Sequence, residues 1–113
     1  MAYEVNGVTI ETNEAGYLIN LTDWNEDVCK VIAAGEGITL TDKHWDVINY
    51  LRDEYINNNG NQPMERVIMK AMAEKWGNKK LSSKEMYELF PFAPSKQGLK
   101  VAGLPPTNRK GGY

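Results

Sequence analysis

The chain of 113 residues contains only one cysteine, Cys29, and one histidine, His44. A single cysteine excludes an internal disulfide framework and is typical of a reducing compartment. One histidine with no second histidine or cysteine nearby makes no credible metal site. The sequence also lacks a Ser-His-Asp pattern and a phosphate-binding glycine motif. We therefore expect no metal and no other cofactor.

Long apolar runs are also missing from the sequence. No stretch approaches the roughly 20 residues needed to cross a bilayer. The start, Met1-Ala-Tyr-Glu-Val5, has neither the basic beginning nor the apolar middle of a signal peptide. We therefore expect a cytoplasmic protein without membrane contact. Its length fits a single domain that can bury a modest core without disulfides or metals, and we expect a monomer.

Charge is nearly balanced overall, at −2, but it is distributed unevenly. Residues 1–62 hold three basic and eleven acidic side chains, residues 63–94 hold six and four, and residues 95–113 hold four and none. The basic C-terminal third therefore suits either an acidic partner or the acidic face of the domain itself. A dedicated nucleic-acid-binding domain would usually be more basic overall.

The N-terminal pattern predicts a small antiparallel hairpin. Apolar and polar residues alternate over residues 3–5 and 8–11, on either side of Asn6-Gly7, the preferred pair for a type I′ turn. A third short strand is predicted at residues 17–19. So small a sheet is marginal alone, so one of its faces must lie on helices.

About five helices are predicted after the hairpin. Thr22 or Asp23 is expected to cap the first helix and Thr41 the second, and Pro63 suits the first turn of the third. The apolar faces expected for these helices are Trp24, Val28, Val31 and Ile32; Trp45, Ile48, Leu51, Arg52 and Tyr55; and Val67, Ile68, Ala71, Met72 and Trp76.

The last two predicted helices are short. Ser82-Ser-Lys-Glu85 is a capping box that opens the fourth, and a final turn or two is expected from Ser95 to about Ala102. The fold class is therefore α+β, with an N-terminal antiparallel hairpin or meander of two to three strands packed on about five helices. Residues 1–102 form the single globular domain, and residues 103–113 form an extended, flexible C-terminal arm.

Six basic residues form the candidate partner-binding set. They are Arg66, Lys70, Lys96, Lys100, Arg109 and Lys110. The first two are four residues apart and so share one helix face, and the next two repeat that spacing at the base of the arm. The last two lie near its tip. A solvated basic face is the alternative interpretation.

Cys29 is the only candidate nucleophile. A reactive cysteine must be exposed, with its thiolate favoured by its surroundings, whereas three acidic side chains, Asp23, Glu26 and Asp27, come just before Cys29. A structural, half-buried role is therefore favoured, and a reactive nucleophile is the alternative.

A DNA-binding regulator is a second alternative. The two helices around residues 57–62 could form a helix-turn-helix-like core. The second of them begins Pro63-Met-Glu-Arg66, which would offer DNA only one cation beside one acid. DNA is therefore not the expected partner.

Several motifs resemble the DsrC/TusE sulfur-carrier family, and the similarity runs nearly end to end. Pro63-Met-Glu-Arg66, followed by Lys70-Ala71, is similar to the family's Pro-x-x-Arg and Lys-Ala helix. Leu89-Phe-Pro91, Pro94-Ser-Lys-Gln97 and Ala102-Gly-Leu-Pro105 are the strongest matches. The resemblance implies a sulfur-relay role. TusE passes persulfide sulfur towards thiolation of the tRNA wobble uridine, and DsrC serves dissimilatory sulfite reductase.

The resemblance also implies where reactive cysteines would lie. It places Leu99 at the family's upstream arm cysteine and Gly112 at the penultimate one. Neither side chain can form a persulfide or a disulfide, because sulfur transfer proceeds by thiolate attack on sulfur. We therefore expect a non-enzymatic, regulatory homologue. It would bind protein partners of a sulfur relay or of a sulfite-reductase-type complex, and the arm would not carry sulfur. An active sulfur carrier that uses Cys29 is the alternative.

Overall fold

A computed structural model describes residues 2–106. Within them, two antiparallel strands, β1 (Ala2–Val5) and β2 (Val8–Glu11), come first, and a single 3-10 turn follows at Leu21–Asp23. The helices are α1 (Glu26–Gly35), α2 (Asp42–Asn57), α3 (Glu65–Trp76), α4 (Ser83–Leu89) and α5 (Gln97–Val101). The predicted α+β class is confirmed.

The predicted hairpin is also confirmed. Asn6 and Gly7 have φ angles of 51° and 78°, and a type I′ turn requires a positive φ at both central positions. The strand predicted at residues 17–19 is reduced to one isolated bridge between Thr12 and Leu18. β1 packs on α1, so the small sheet has the helical support that it needs.

The first helix starts later than predicted. Neither Thr22 nor Asp23 caps it, since both belong to the 3-10 turn. The cap is Asn25, whose side-chain oxygen accepts a hydrogen bond from the Val28 N–H at 2.9 Å. Asparagine, threonine and aspartate cap helices almost equally well, so local sequence does not choose among these neighbouring positions. The caps predicted at Thr41 and Ser82 are correct.

The apolar faces of α2 and α3 are partly rotated from those predicted. In α2 the buried residues are His44, Val47, Ile48 and Leu51, and Trp45 and Tyr55 are only half-buried. In α3, Val67 is 42% exposed. Helix α5 packs on both α1 and α2, and this contact decides which side of α2 is covered. Pro63 precedes α3 instead of opening its first turn, because Met64 is the N-cap.

The packed core continues past the predicted end of the domain at residue 102. Gly103 is buried and Leu104 is 1% exposed, so the first residues assigned to the arm belong to the body. Residues 107–113 lie outside the described part of the chain, and with them Arg109, Lys110 and Gly112. None of the helices within residues 2–106 is both long enough and apolar enough to span a membrane.

Candidate functional site

Three side chains from earlier parts of the chain hold the backbone of residues 101–105. The hydrogen bonds run from Trp24 Nε1 to the Val101 carbonyl at 2.9 Å, from Arg52 Nη1 to the Ala102 carbonyl at 2.8 Å and from Gln62 Nε2 to the Pro105 carbonyl at 2.9 Å. Carbonyls at the end of a helix lack partners within that helix, and α5 ends at Val101. Side chains from distant parts of the sequence therefore hold residues 101–105 against the body of the domain.

The Arg52 guanidinium also stacks on the Trp24 ring, 3.9 Å from its centroid. Such a cation–π contact restrains both side chains. Trp24 donates to the Val101 carbonyl and Arg52 donates to the Ala102 carbonyl. The stacking therefore keeps these two hydrogen-bond donors next to each other. Arg52, which was predicted to lie on the apolar face of α2, is thus a hydrogen-bond donor to the backbone of the C-terminal segment.

Lys100 faces the acidic part of the body. Its Nζ lies 3.4 Å from Glu36 Oε1, and both side chains are 18% exposed. The same Glu36 oxygen accepts from Gln97 Nε2 at 3.2 Å, and Lys100 also lies over the Tyr17 ring. The charge distribution allowed the basic C-terminal third to meet either an acidic partner or the acidic face of the domain itself. In this structure Lys100 meets the acidic face of the domain, through Glu36.

The other predicted site residues are dispersed. Arg66 and Lys70 are exposed one turn apart on α3, and Lys96 is exposed just before α5. Leu99, which the resemblance placed at the upstream family cysteine, is 2% exposed inside α5. A side chain at that position faces the core in this arrangement.

Cys29 is fully buried in α1, with a relative exposure of 0%. Burial raises the pKa of its thiol to about 12, and the nearby Arg52 charge opposes this effect only in part. The reactive form of cysteine is the thiolate. In this structure the thiol of Cys29 is therefore buried, and its protonated form is favoured.

His44 joins the start of α2 to the end of α4. Its Nδ1 lies 3.0 Å from the Thr41 backbone nitrogen, and its Nε2 lies 2.9 Å from the Leu89 carbonyl oxygen. A backbone N–H can only donate and a carbonyl can only accept. The ring is therefore neutral, with its proton on Nε2, and burial lowers its pKa accordingly. This role is structural.

An apolar groove of about 400 Å³ lies between α3 and α4. The residues that line it include Met64, Met69, Met86, Tyr87, Pro94 and Arg66. The single apolar face predicted for α3 does not indicate this groove. The available signal was Met69, an apolar residue outside the face predicted for α3.

The α2–α3 pair does not favour the DNA-binding alternative. Residues 58–64 connect the two helices, a longer link than the turn of about three to four residues in a helix-turn-helix. α3 also begins with Glu65, a negative charge at the end that would approach DNA. Residues 2–106 contain no group of three or more His, Cys, Asp or Glu side chains placed to hold a metal ion.

Comparison with known proteins extends the resemblance found in the sequence. The profile of a family described as "DsrC like protein" matches residues 4–109. Sulfurtransferase TusE of Yersinia pseudotuberculosis is 47% identical over 102 residues, which cover 90% of this chain and 94% of that protein. Sulfurtransferase TusE of Escherichia coli is 46% identical over 99 residues, 88% of this chain and 90% of that protein.

Two solved structures share the fold. The NMR structure of DsrC from Allochromatium vinosum matches with a TM-score of 0.85 and 42% identity over 96% of each chain. The oxidised gamma-subunit of the dissimilatory sulfite reductase (DsrC) from Archaeoglobus fulgidus matches with a TM-score of 0.84 and 30% identity, over 96% of this chain and 98% of that one. Because the family profile and these relatives span most of the sequence, the chain belongs to the DsrC-like protein family, together with TusE.

Proposed function

We propose that this protein binds partners of a sulfur relay, or of a sulfite-reductase-type complex, without carrying sulfur itself. The binding role is supported by the relatives, which are named sulfurtransferases or a sulfite reductase subunit. Their similarity extends over the whole body of the chain. The absence of sulfur transfer is proposed from the position of the only thiol in the 113 residues.

The burial of Cys29 is the observation that carries the proposal. A persulfide forms when a thiolate attacks the outer sulfur of a donor persulfide, making a new S–S bond while the donor leaves as a thiolate. With a pKa of about 12, Cys29 would be ionised in only about one molecule in 10⁵ at neutral pH. The two positions that resemble the family's arm cysteines, Leu99 and Gly112, provide no sulfur, and Gly112 lies beyond the matched residues 4–109.

Intact-mass spectrometry tests the absence of sulfur transfer. After incubation with a persulfide donor, the mass of the native chain is expected to stay unchanged, because the thiol is inaccessible and protonated. An adduct of about 32 Da that disappears in Cys29→Ser would establish the alternative, an active carrier that uses Cys29. The same incubation in urea is the positive control, since unfolding exposes the thiol.

The docking role is assigned to exposed cations and to the arm. Arg66, Lys70 and Lys96 are exposed, and Arg109 and Lys110 belong to residues 107–113. Charges of this kind mainly steer association and select partners. Lys100 would contribute only if its ion pair with Glu36 were exchanged for one with the partner.

A binding assay tests docking. The full chain is measured against purified proteins of a tRNA-thiolation relay and, separately, against a dissimilatory sulfite reductase. A version ending at Pro106 is expected to bind at least about tenfold more weakly, because it lacks two cations of the arm. The double variant Arg109→Gln, Lys110→Gln keeps the full length of the chain but removes both charges. It therefore shows whether the charge or the length of residues 107–113 is needed for binding.

The alternative outcomes of this assay have distinct meanings. Equal binding by the version ending at Pro106 would remove the role of residues 107–113. No binding of the full chain to either class of partner would overturn the proposed function. A deletion starting at Lys100 would be uninformative, because it would also remove the buried residues Val101 and Leu104.

A further inference from the structure

The groove between α3 and α4 has an adaptable apolar lining. Met86 and Pro94 are buried at its base, while Met64 and Met69 are half-buried beside them. Methionine is unbranched and polarizable, so a surface rich in it can repack around different apolar side chains. A concavity of about 400 Å³ is within the usual size range of binding pockets.

The groove lining includes two charged side chains, Glu65 and Arg66. Glu65 is half-buried, and its carboxylate oxygens accept hydrogen bonds from the Tyr87 hydroxyl at 2.8 Å and from the Ser95 hydroxyl at 3.2 Å, so Arg66 is the more accessible of the two. The neighbouring Arg66 is exposed, and among residues 2–106 it has no ion pair or side-chain hydrogen bond. A guanidinium binds a carboxylate with two parallel hydrogen bonds. The groove is therefore equipped for an acidic group beside an apolar one.

The net charge of the surrounding segment also favours an acidic ligand. Residues 63–94, which include α3, α4 and the whole lining of the groove, hold six basic and four acidic side chains. Residues 1–62 have the opposite balance. An acidic segment is therefore attracted to this part of the molecule and a basic one is repelled.

The loop that ends at Pro94 carries a further apolar group. Phe92 is 72% exposed, and the next residue, Ala93, has a φ of 90°. A residue with a Cβ is strained in this conformation, which persists only where the surrounding structure enforces it. Phe92 is thus an exposed ring two residues before Pro94 of the groove lining.

We propose that the α3–α4 groove binds an amphipathic helical segment of a partner protein. The segment inserts a large apolar side chain among Met64, Met69 and Met86, and a carboxylate one helical turn away pairs with Arg66. This is the binding mode in which the apolar face of a helix lies in a groove. The assignment of that partner to a sulfur relay rests on the proposed function, whereas the chemistry of the groove does not.

Methyl NMR of the full chain, labelled with ¹³C at the methionine ε-methyl groups, tests the groove directly. The probe is a synthetic amphipathic peptide with leucine and phenylalanine on one face and glutamate beside them. The signals of Met64, Met69 and Met86 are expected to shift saturably, while that of Met72, which is 1% exposed and does not line the groove, stays in place. The same peptide with lysine for glutamate is expected to bind at least about tenfold more weakly.

Two variants with the same change of charge show whether the site is specific. Arg66→Glu is expected to weaken binding of the acidic peptide by tenfold or more. Lys75→Glu, on the last turn of α3 and outside the groove lining, is expected to change it less than threefold. Both side chains are exposed, so the fold tolerates both changes. Equal losses in the two variants would reduce the site to a general basic surface and overturn the proposal.

Other occupants would give different results. Methionine shifts that depend on protein concentration without peptide would assign the groove to a second copy of the chain. Shifts produced by ending the chain at Pro106 would assign it to the chain's own residues 107–113. Either result would overturn the proposal, as would equal binding of the lysine peptide.

Titration with a relay protein separates the two proposals. A relay protein that binds the full chain without moving the three groove signals would overturn the groove as the docking site and leave the proposed function standing. Saturable binding of the acidic peptide by a chain that no relay protein or sulfite reductase binds would support the groove and overturn the proposed function.

Discussion

At the scale of single residues, Gly103 packs its backbone directly on the Trp24 indole. A Cβ at this position would overlap Trp24 Cδ1 and Cγ and would lie 2.8 Å from Trp24 Cβ. Gly103 also has a φ of 73°, a conformation that costs other residues about 1–2 kcal/mol. The position therefore requires glycine for two independent reasons.

Gly103→Ala is expected to lower the free energy of unfolding by about 3 kcal/mol, the sum of backbone strain and overpacking. Urea denaturation measures it. Gly37→Ala is the matched control, because Gly37 has a similar φ of 76° but nothing within 4 Å of its Cβ position. That variant should lose only about 1 kcal/mol of backbone strain. Equal losses in both variants would show that the Trp24 contact adds nothing.

His44 makes stability depend on pH. Burial lowers its pKa in the folded state below the ordinary value, which is about 6.5. The unfolded chain therefore takes up a proton more readily than the folded one. The stability from the neutral ring is fully present above about pH 6.5, and it is lost as the pH falls below that value towards the lower, folded pKa.

Urea denaturation between pH 8 and pH 5 tests this dependence. The native chain is expected to lose stability below about pH 6.5, and His44→Gln is expected to show a flatter profile in that range because its side chain does not titrate. The variant is less stable at pH 8, since it no longer accepts from the Thr41 N–H. Parallel profiles would mean that another group causes the pH dependence.

At the scale of elements, the prediction from sequence succeeded where one local signal stood alone, and it failed at the first helix, where several neighbouring residues can act as the cap. Asn6-Gly7 forms the predicted turn, and Thr41 and Ser82 cap the helices that they were predicted to cap. The face of α2 was harder to predict, because α5, about 50 residues later in the chain, decides which of its residues are covered.

The same limit applies to the site. Sequence analysis selected the arm and its cations, but it missed the side chains that hold the base of the arm. Trp24, Arg52 and Gln62 contact residues 101–105 across long distances in sequence, and nothing within their own helices or turns indicates this. Their roles depend on tertiary contacts that helix periodicity does not encode.

Trp24→Phe tests how strongly the base of the arm is held. The change removes the N–H that bonds to the Val101 carbonyl, and an unpaired buried carbonyl costs about 1–3 kcal/mol. We expect a loss of about 2 kcal/mol in the free energy of unfolding. Trp45→Phe is the control, since the Trp45 indole N–H has no partner among residues 2–106. Similar losses in both variants would indicate that ring size matters and the hydrogen bond does not.

At the scale of the whole molecule, the structure links the acidic N-terminal part of the chain, residues 1–62, to its basic C-terminal part. The Lys100–Glu36 ion pair and the three hydrogen bonds to residues 101–105 join the C-terminal segment to α1, to α2 and to the loops beside them. The domain that folds is therefore expected to end near Pro105 instead of at residue 102. Its cytoplasmic location and monomeric state stay predictions.

Truncation of the chain measures this boundary. A version ending at Pro106 is expected to unfold at the same urea concentration as the full chain, because it keeps Leu104 and the bond from Gln62 to Pro105. A version ending at Ala102 loses the buried Leu104 side chain, whose removal costs about 2–5 kcal/mol. It also loses the bond from the Leu104 N–H to the Leu99 carbonyl. Since a domain of this size has only about 5–15 kcal/mol of stability, the shorter version should be largely destabilised or unfolded. Equal stability of the two versions would return the boundary to residue 102, and a loss in the version ending at Pro106 would mean that residues 107–113 also stabilise the body.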